Sequence, residues 1–467
     1  MVFSSNIFIG IFLPVFLIVY FINPNRQWRN IVFLIFSLVF YSWGEPLWVF
    51  GMMALTLIDY LLARFVGRVE SSAGRKWFIF LTVTLNLAAL FTFKYYNFFA
   101  DTIDRIFGTH LPDLTVSMPI GISFFTFQAL TYVVDVYRGE VEPQKNYFKV
   151  LLYISMFPQL IAGPIVRYAD VADQIDNRHE TTEGFQQGMF RFSIGLAKKV
   201  IFANYAGTIC TSLLSADHLP NLTTGGAWFG ILMWMCQVYF DFAGYSDMAI
   251  GLGLCTGFKF KENFIYPYMA TSVTDLWRRW HISLGSFFRD YVYIPCGGNR
   301  KHQYLNIAIV WALTGLWHGA SWNFVLWGLF FGAVLVLEKW LRRLDYRIER
   351  IPILNHVLSI FIVMIGWPIF YFPDPKDLKL CYLAMIGYHT ETAMTLREAT
   401  PFYQYFFIVI AMFLCCTPIF SVIANAIFPK GKVRTDVAKG IFASFVTAGC
   451  FFILLMQSYN PFLYFRF

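Results

Sequence analysis

Charge is what this sequence has least of. Only 14% of its 467 residues are Asp, Glu, Lys or Arg, against about a quarter in a soluble domain. An ordinary water-soluble globule is thereby excluded, because most side chains must face lipid or one another. Basic runs long enough to track phosphates are also missing, so the formal net charge of +8 does not point to nucleic acid. The Lys and Arg residues read instead as markers of cytoplasmic loops. The eight cysteines have no CxxC spacing and lie mostly in apolar stretches, which argues against a disulfide framework or a metal site. No basic leader precedes the first apolar stretch, Ile7 to Ile22, so it reads as a retained span rather than a cleaved signal. No internal repeat, low-complexity tract or linker divides the chain, and residues 1–467 are read as one domain. An Asp-x-Asp motif for a sugar-nucleotide metal is likewise missing, which disfavours a glycosyltransferase.

What is abundant is aromatic: 53 Phe, 26 Tyr and 14 Trp. Tyr and Trp suit the lipid–water boundary, where a ring buries its body and wets its polar end. Spanning the hydrocarbon takes about 20 apolar residues as helix. Ten candidates fall near 7–22, 31–43, 47–66, 77–93, 119–137, 199–214, 226–256, 353–372, 403–425 and 437–458. The seventh is interrupted by Asp241-Phe-Ala-Gly-Tyr-Ser-Asp247. The expected fold class is an all-α integral membrane protein in a lipid bilayer. Arg26 and Arg29 follow the first span, Glu45 alone lies between the second and third, and Arg64, Arg68, Arg75 and Lys76 follow the third. Loops that alternate in this way place the N-terminus outside the cell membrane. The stretch from Lys259 to Lys301 then reads cytoplasmic, and that from Asp374 to Glu398 external.

Two apolar segments do not read as simple crossings. Phe148 to Val166 has cations at both ends and contains Pro158, Gly163 and Pro164; a helix broken there can enter and leave on one side if protein surrounds it. Tyr304 to Trp317 and Trp322 to Leu337 also have basic residues at both outer ends. The first reaches about 21 Å at the helical rise, less than the roughly 30 Å of hydrocarbon. The turn Gly315-Leu-Trp-His-Gly-Ala-Ser-Trp322 is therefore expected inside the membrane, carrying His318. An ionisable group at that depth suggests function, although a neutral histidine that only bonds a neighbouring helix fits the same position. Gly315 and Gly319 allow close backbone approach to a substrate.

Upstream, Asp275-Leu-Trp-Arg-Arg-Trp-His281 mixes Trp with charge at the expected cytoplasmic boundary. Arg278 and Arg279 can contact phosphate or carboxylate or simply snorkel to the interface. His281 suits a structural hydrogen bond and a second catalytic role equally. Asp241 and Asp247 can orient a histidine or carry protons, and a structural pairing fits them as well.

These residues resemble the membrane-bound O-acyltransferase (MBOAT) family, and more closely its bacterial alginate O-acetyltransferase branch. The motifs are Leu276-Trp-Arg-Arg-Trp-His-Ile-Ser-Leu284, Arg289-Asp-Tyr-Val-Tyr-Ile-Pro-Cys-Gly-Gly-Asn-Arg300 and Gly315-Leu-Trp-His-Gly319. Pro119-Ile-Gly-Ile-Ser-Phe124, Tyr239-Phe-Asp-Phe-Ala-Gly-Tyr-Ser-Asp247 and the opening and closing stretches extend the likeness over nearly the whole chain. Cys296 departs from the pattern where Leu is common, and Ser286 precedes Phe where Ser-Thr-Trp is usual. The resemblance implies about ten to eleven spans with re-entrant pieces, forming a funnel that narrows to His318, with His281 as the second characteristic histidine. It implies transfer of acetyl groups from a cytoplasmic donor, acetyl-CoA, through a bacterial inner membrane towards an extracytoplasmic partner that decorates an exopolysaccharide. No bound cofactor is implied.

The expected chemistry is acyl transfer from a thioester to a hydroxyl, with His318 as general base. The oxyanion needs donors, for which His281, Trp317 and backbone N–H groups are candidates; Arg278 and Arg279 suit a phosphorylated donor. D-alanyl transfer from a carrier protein is the alternative within the class, and a polysaccharide flippase the alternative outside it.

Overall fold

The computed structural model describes all residues except 162, 344–351, 389–391, 428–432, 458 and 464–467. Among the described residues every regular element is a helix. Among the described residues five helices are long and apolar enough to cross a membrane, and six if the pair Leu396–Gln404 and Phe406–Cys415, bent by 69°, is one span. This is fewer than the ten apolar stretches of the sequence, because several form helices too short to span alone. Arg26–Ser42 and Ile122–Arg138 have 17 residues each, about 26 Å at the helical rise. The chain is a multi-pass membrane protein. It groups into two compact units, residues 1–192 with 248–261 and residues 193–247 with 262–467.

In the first unit, helices Trp48–Arg68, Ser72–Leu90 and Ile122–Arg138 pack on one another. Between the first two, the Asn86 side-chain amide donates to Asp59 (2.7 Å), and both residues are fully buried. The segment around Pro158 is broken as expected. Helix Tyr147–Ser155 ends at Met156, and the short helix Phe157–Leu160 follows. Protein surrounds the break: Phe157 packs against Phe8, Phe12, Phe16, Phe33 and Phe40, with centroids 5.0–6.2 Å away. The basic residues after the first span are drawn into a cluster around Glu180. Arg26 (2.6 Å), Arg29 (2.5 Å) and Tyr20 (2.6 Å) all donate to its carboxylate. Arg178 donates to Tyr20 and to the carbonyl of Thr256, with its guanidinium over Phe258.

The interruption expected at 241–247 does not occur. Helix Thr224–Cys255 runs unbroken for 32 residues. Its two acids are met by consecutive lysines, Lys199 with Asp241 (2.7 Å) and Lys198 with Asp247 (2.6 Å). Neutralised in this way, an acid can stay in an apolar helix without distorting its backbone.

Candidate active site

Helix Gln303–His318 and helix Trp322–Arg343 form the expected hairpin, and His318 is the last residue of the first. The glycines have a different task from the one their spacing suggests. A Cβ at Gly315 would strike the carbonyl oxygen of Phe324, one at Gly328 that of Trp311, and one at Gly319 the Phe324 ring. They let the two helices touch backbone to backbone at Gly315, where the space is taken by protein, while Gly319 packs on the Phe324 ring. What they provide is a rigid mount for His318.

The His318 imidazole is half-buried and sits in an aromatic frame. Ring centroids lie at 5.0 Å for Trp317, 5.3 Å for Trp327 and 5.2 Å for Phe370, each nearly perpendicular to the imidazole. Phe370 comes from helix Pro352–Tyr371. Trp317 is shared: its ring also meets His281 edge-on at 5.6 Å. The two histidines and Trp317 thus form one cluster, joined through the indole.

His281 is buried and lies between helices Val273–Arg279 and Ile282–Phe288, in a left-handed conformation (φ 44°, ψ 53°) uncommon for a residue with a side chain. The neighbouring backbone is pinned by Asn263, which accepts from the Ser283 N–H (3.1 Å) and hydroxyl (2.9 Å) and donates to Ser246 (3.1 Å). The Ser283 hydroxyl lies 3.4 Å from His281 Nδ1. Burial pushes the His281 imidazole well below its ordinary value, so it stays neutral. Sequence reasoning passed over Asn263, because its short stretch carries no periodicity or motif to single it out.

The two arginines separate. Arg279 is held by Asp275 one turn earlier on the same helix (3.0 Å). Arg278 is exposed and lies in the electrostatic field of Lys339, with Arg342 and Arg343 beside it. The nearby carboxylate, Glu338, is engaged elsewhere: it accepts from the backbone N–H groups of Val273 (2.7 Å) and Thr274 (2.9 Å) and caps the helix that carries Arg278. Four cations therefore gather while Glu338 serves a helix terminus. Asp241 lies apart from this assembly. It is paired with Lys199, with both side chains almost wholly buried, and it also accepts from the backbone N–H of Leu463 (2.9 Å). This is the geometry of an anchor for the 461–463 segment.

Next to the His318 turn opens a cavity of about 540 Å³, lined by Gly319, Ala320, Ser321 and Asn323 on one side and by Trp234, Phe370, Tyr371 and Asp377 on another. Among the described residues no group of three His, Cys, Asp or Glu side chains gathers to hold a metal.

The sequence matches the model of the MBOAT, membrane-bound O-acyltransferase family, over residues 11–371. It is 38% identical to the protein named probable alginate O-acetylase in Pseudomonas putida, over the full length of both chains. It is 41% identical to the protein of that name in Azotobacter vinelandii, covering 85% of this chain and 81% of the relative. A peptidoglycan O-acetyltransferase of Helicobacter pylori is 33% identical, covering 73% and 70%. With a family match over residues 11–371 and relatives about 40% identical over most or all of their length, the chain belongs to the membrane-bound O-acyltransferase family.

Proposed function

We propose that this acyltransferase moves acetyl groups from a cytoplasmic thioester, acetyl-CoA, to a hydroxyl on the other side of a bacterial cytoplasmic membrane. The chain acts as one polytopic domain of ten to eleven crossings with its N-terminus outside. The product serves O-acetylation of an exopolysaccharide, of the alginate or cellulose type, through an extracytoplasmic partner protein. The observation that carries this reading is the His281–Trp317–His318 cluster beside a cavity.

His318 takes the proton of the acceptor hydroxyl as its oxygen bonds to the thioester carbonyl carbon. The carbon–sulfur bond then breaks, and the imidazolium returns the proton to the leaving thiolate, which yields an ester and a free thiol. General-base catalysis of this kind is worth about 10²–10⁴-fold. His281, neutral and fixed by its backbone, is the positioning residue that holds Trp317 against His318. Arg278, with Lys339, Arg342 and Arg343, supplies the charge that suits the phosphates of the donor, while Arg279 supports the helix through Asp275. Asp241, for which the sequence left proton carriage and structural pairing both open, serves as an anchor.

The test uses the purified chain in liposomes with labelled acetyl-CoA, the partner protein and the polysaccharide. His318→Ala is expected to lower acetyl transfer by about 10²–10⁴-fold while insertion and thermal unfolding stay as they were. Transfer within threefold of normal would remove His318 from the role of base. D-alanyl-loaded carrier protein, offered in place of acetyl-CoA, is expected to give no product.

A further inference from the structure

A second cavity, of about 470 Å³, lies between helix Pro352–Tyr371 and the short helix Pro375–Met385. Its wall includes Phe361 and Ile365 from the first, Lys379, Tyr382 and Leu383 from the second, and Trp228 from helix Thr224–Cys255. The Trp228 ring stacks on Phe361, with centroids 5.5 Å apart and planes at 22°. The polar ends of the wall aromatics are engaged within the protein. The Tyr382 hydroxyl donates to the carbonyl of Ile365 (2.7 Å), and the Trp228 indole N–H to that of Met385 (3.0 Å). A guest therefore meets hydrocarbon and ring surface, and neither aromatic has a hydrogen bond to spare for it.

Lys379 is the exception. It is exposed, and among the described residues its ammonium has no hydrogen-bond or ion-pair partner. The acids of the same segment turn elsewhere. Asp377 lies about 200° round the helix from Lys379 and lines the cavity next to the His318 turn instead. Asp374 caps the helix by accepting from the Lys376 N–H (2.8 Å). The Lys376 side chain, also exposed, stands one turn before Lys379 on the same side.

Depth adds a second constraint. Helix Pro352–Tyr371 is long and apolar enough to cross the membrane, and the exposed Asp374 and Lys376 just beyond its end mark the boundary. Ile365 and Phe361 stand six and ten residues before Tyr371, about 9 and 15 Å along the axis. Half of a hydrocarbon layer roughly 30 Å thick is about 15 Å. The cavity thus runs from one face of the bilayer to about its middle, which is the reach of an acyl chain in one leaflet.

We propose that this cavity binds a glycerophospholipid with an anionic headgroup. One acyl chain lies against Phe361, Ile365 and Leu383, and the headgroup phosphate meets Lys379. Phe361 is 46% exposed and Ile386, also in the wall, 75%, so the chain enters sideways from the leaflet without any part of the protein opening. The bound lipid braces the helix that supplies Phe370 to the His318 frame. The proposal depends neither on the role of His318 nor on which face of the membrane the cavity meets.

The test places the purified full chain in phosphatidylcholine vesicles containing a trace of a photoactivatable lipid. This probe is either phosphatidylglycerol or phosphatidylcholine with a diazirine midway along one acyl chain. After irradiation, labelled peptides are quantified at 361–365 and 378–386. Ile441 and Phe445, exposed on the spanning helix Thr435–Met456, serve as the reference. Relative to that reference, phosphatidylglycerol is expected to label the wall about fivefold more than phosphatidylcholine does. Lys379→Gln, at an exposed position, is expected to remove most of this preference. Ile365→Trp, which fills the groove, is expected to lower wall labelling by both lipids; if it does not fold, the unaltered chain and Lys379→Gln still decide the matter. Equal labelling of the wall by the two lipids, or a preference that survives Lys379→Gln, overturns the proposal. A wall that neither lipid labels also overturns it, and means that a second copy or another protein covers the groove.

Discussion

Glu180 and His318 are both ionisable residues in a protein poor in charge, and their surroundings are opposite. Around Glu180 everything polar is engaged: two arginines and a tyrosine converge on one carboxylate, and a third arginine, Arg178, is fully buried behind them. Around His318 the neighbours are rings, with Trp317, Trp327 and Phe370 on three sides and a cavity at the turn. Where charges saturate one another, the group is committed to holding chain segments together. Where an ionisable ring is framed by other rings, packing rather than charge dominates its surroundings. Asp241 falls on the Glu180 side of this division, although the sequence offered it as a candidate for the other.

The sharpest way to break the division is at Asp241. Asp241→Asn leaves Lys199 charged and buried, and removing one partner of such a pair costs about 3–5 kcal/mol. Thermal unfolding of the purified chain is expected to fall accordingly, while the molecules that remain folded keep their KM for acetyl-CoA. A raised KM with normal unfolding would place Asp241 at the substrate instead. Glu180→Gln should cost less, about 2–3 kcal/mol, because Arg26 is partly exposed and can be hydrated instead. Turnover per folded molecule is expected to be unchanged, and a loss of turnover exceeding the loss of folded protein would tie the cluster to catalysis.

The smallest effect is the pH dependence of the same cluster. Burial alone would push the Glu180 carboxyl up, but hydrogen bonds from Arg26 and Tyr20 and the charge of Arg26 outweigh it and hold the group well below the usual carboxylate range. A group with a depressed folded value contributes its full stability above its unfolded value, about 4.3. The contribution is lost as pH falls from there through the folded value. Unfolding temperature measured from about pH 5 downwards is expected to drop more steeply for the unaltered chain than for Glu180→Gln. Parallel slopes would mean that Glu180 does not carry the acid sensitivity.

Much of the site was legible because its signals are local. A short apolar run followed by a glycine-flanked Trp–His pair places His318 at a hairpin tip from helical rise alone, and the structure ends a helix there. His281 stood out among Trp and Arg with its role open, and family resemblance made it the second characteristic histidine. The partners were not legible. Glu180 stands more than 150 residues from Arg26, and Asn263 pins the backbone next to His281 from a position 20 residues before Ser283. Lys198 and Lys199 look like ordinary cations near the start of a span, yet they let helix Thr224–Cys255 continue through two acids. Contacts of this kind depend on tertiary packing, and composition or spacing within one segment does not encode them.

The close-packed hairpin also bears on transport. Helix Gln303–His318 has 16 residues, about 24 Å from end to end, and the glycine contacts with Phe324 and Trp311 fix its partner against it. An imidazole held at such a tip stands, on the proposed reading, part-way through the hydrocarbon, on a mount that the glycine contacts fix. On the proposed reading the acetyl group therefore needs no carrier that rocks between two states. The donor thioester reaches in from one side and the acceptor hydroxyl from the other, and a single bond exchange at a stationary imidazole completes the crossing.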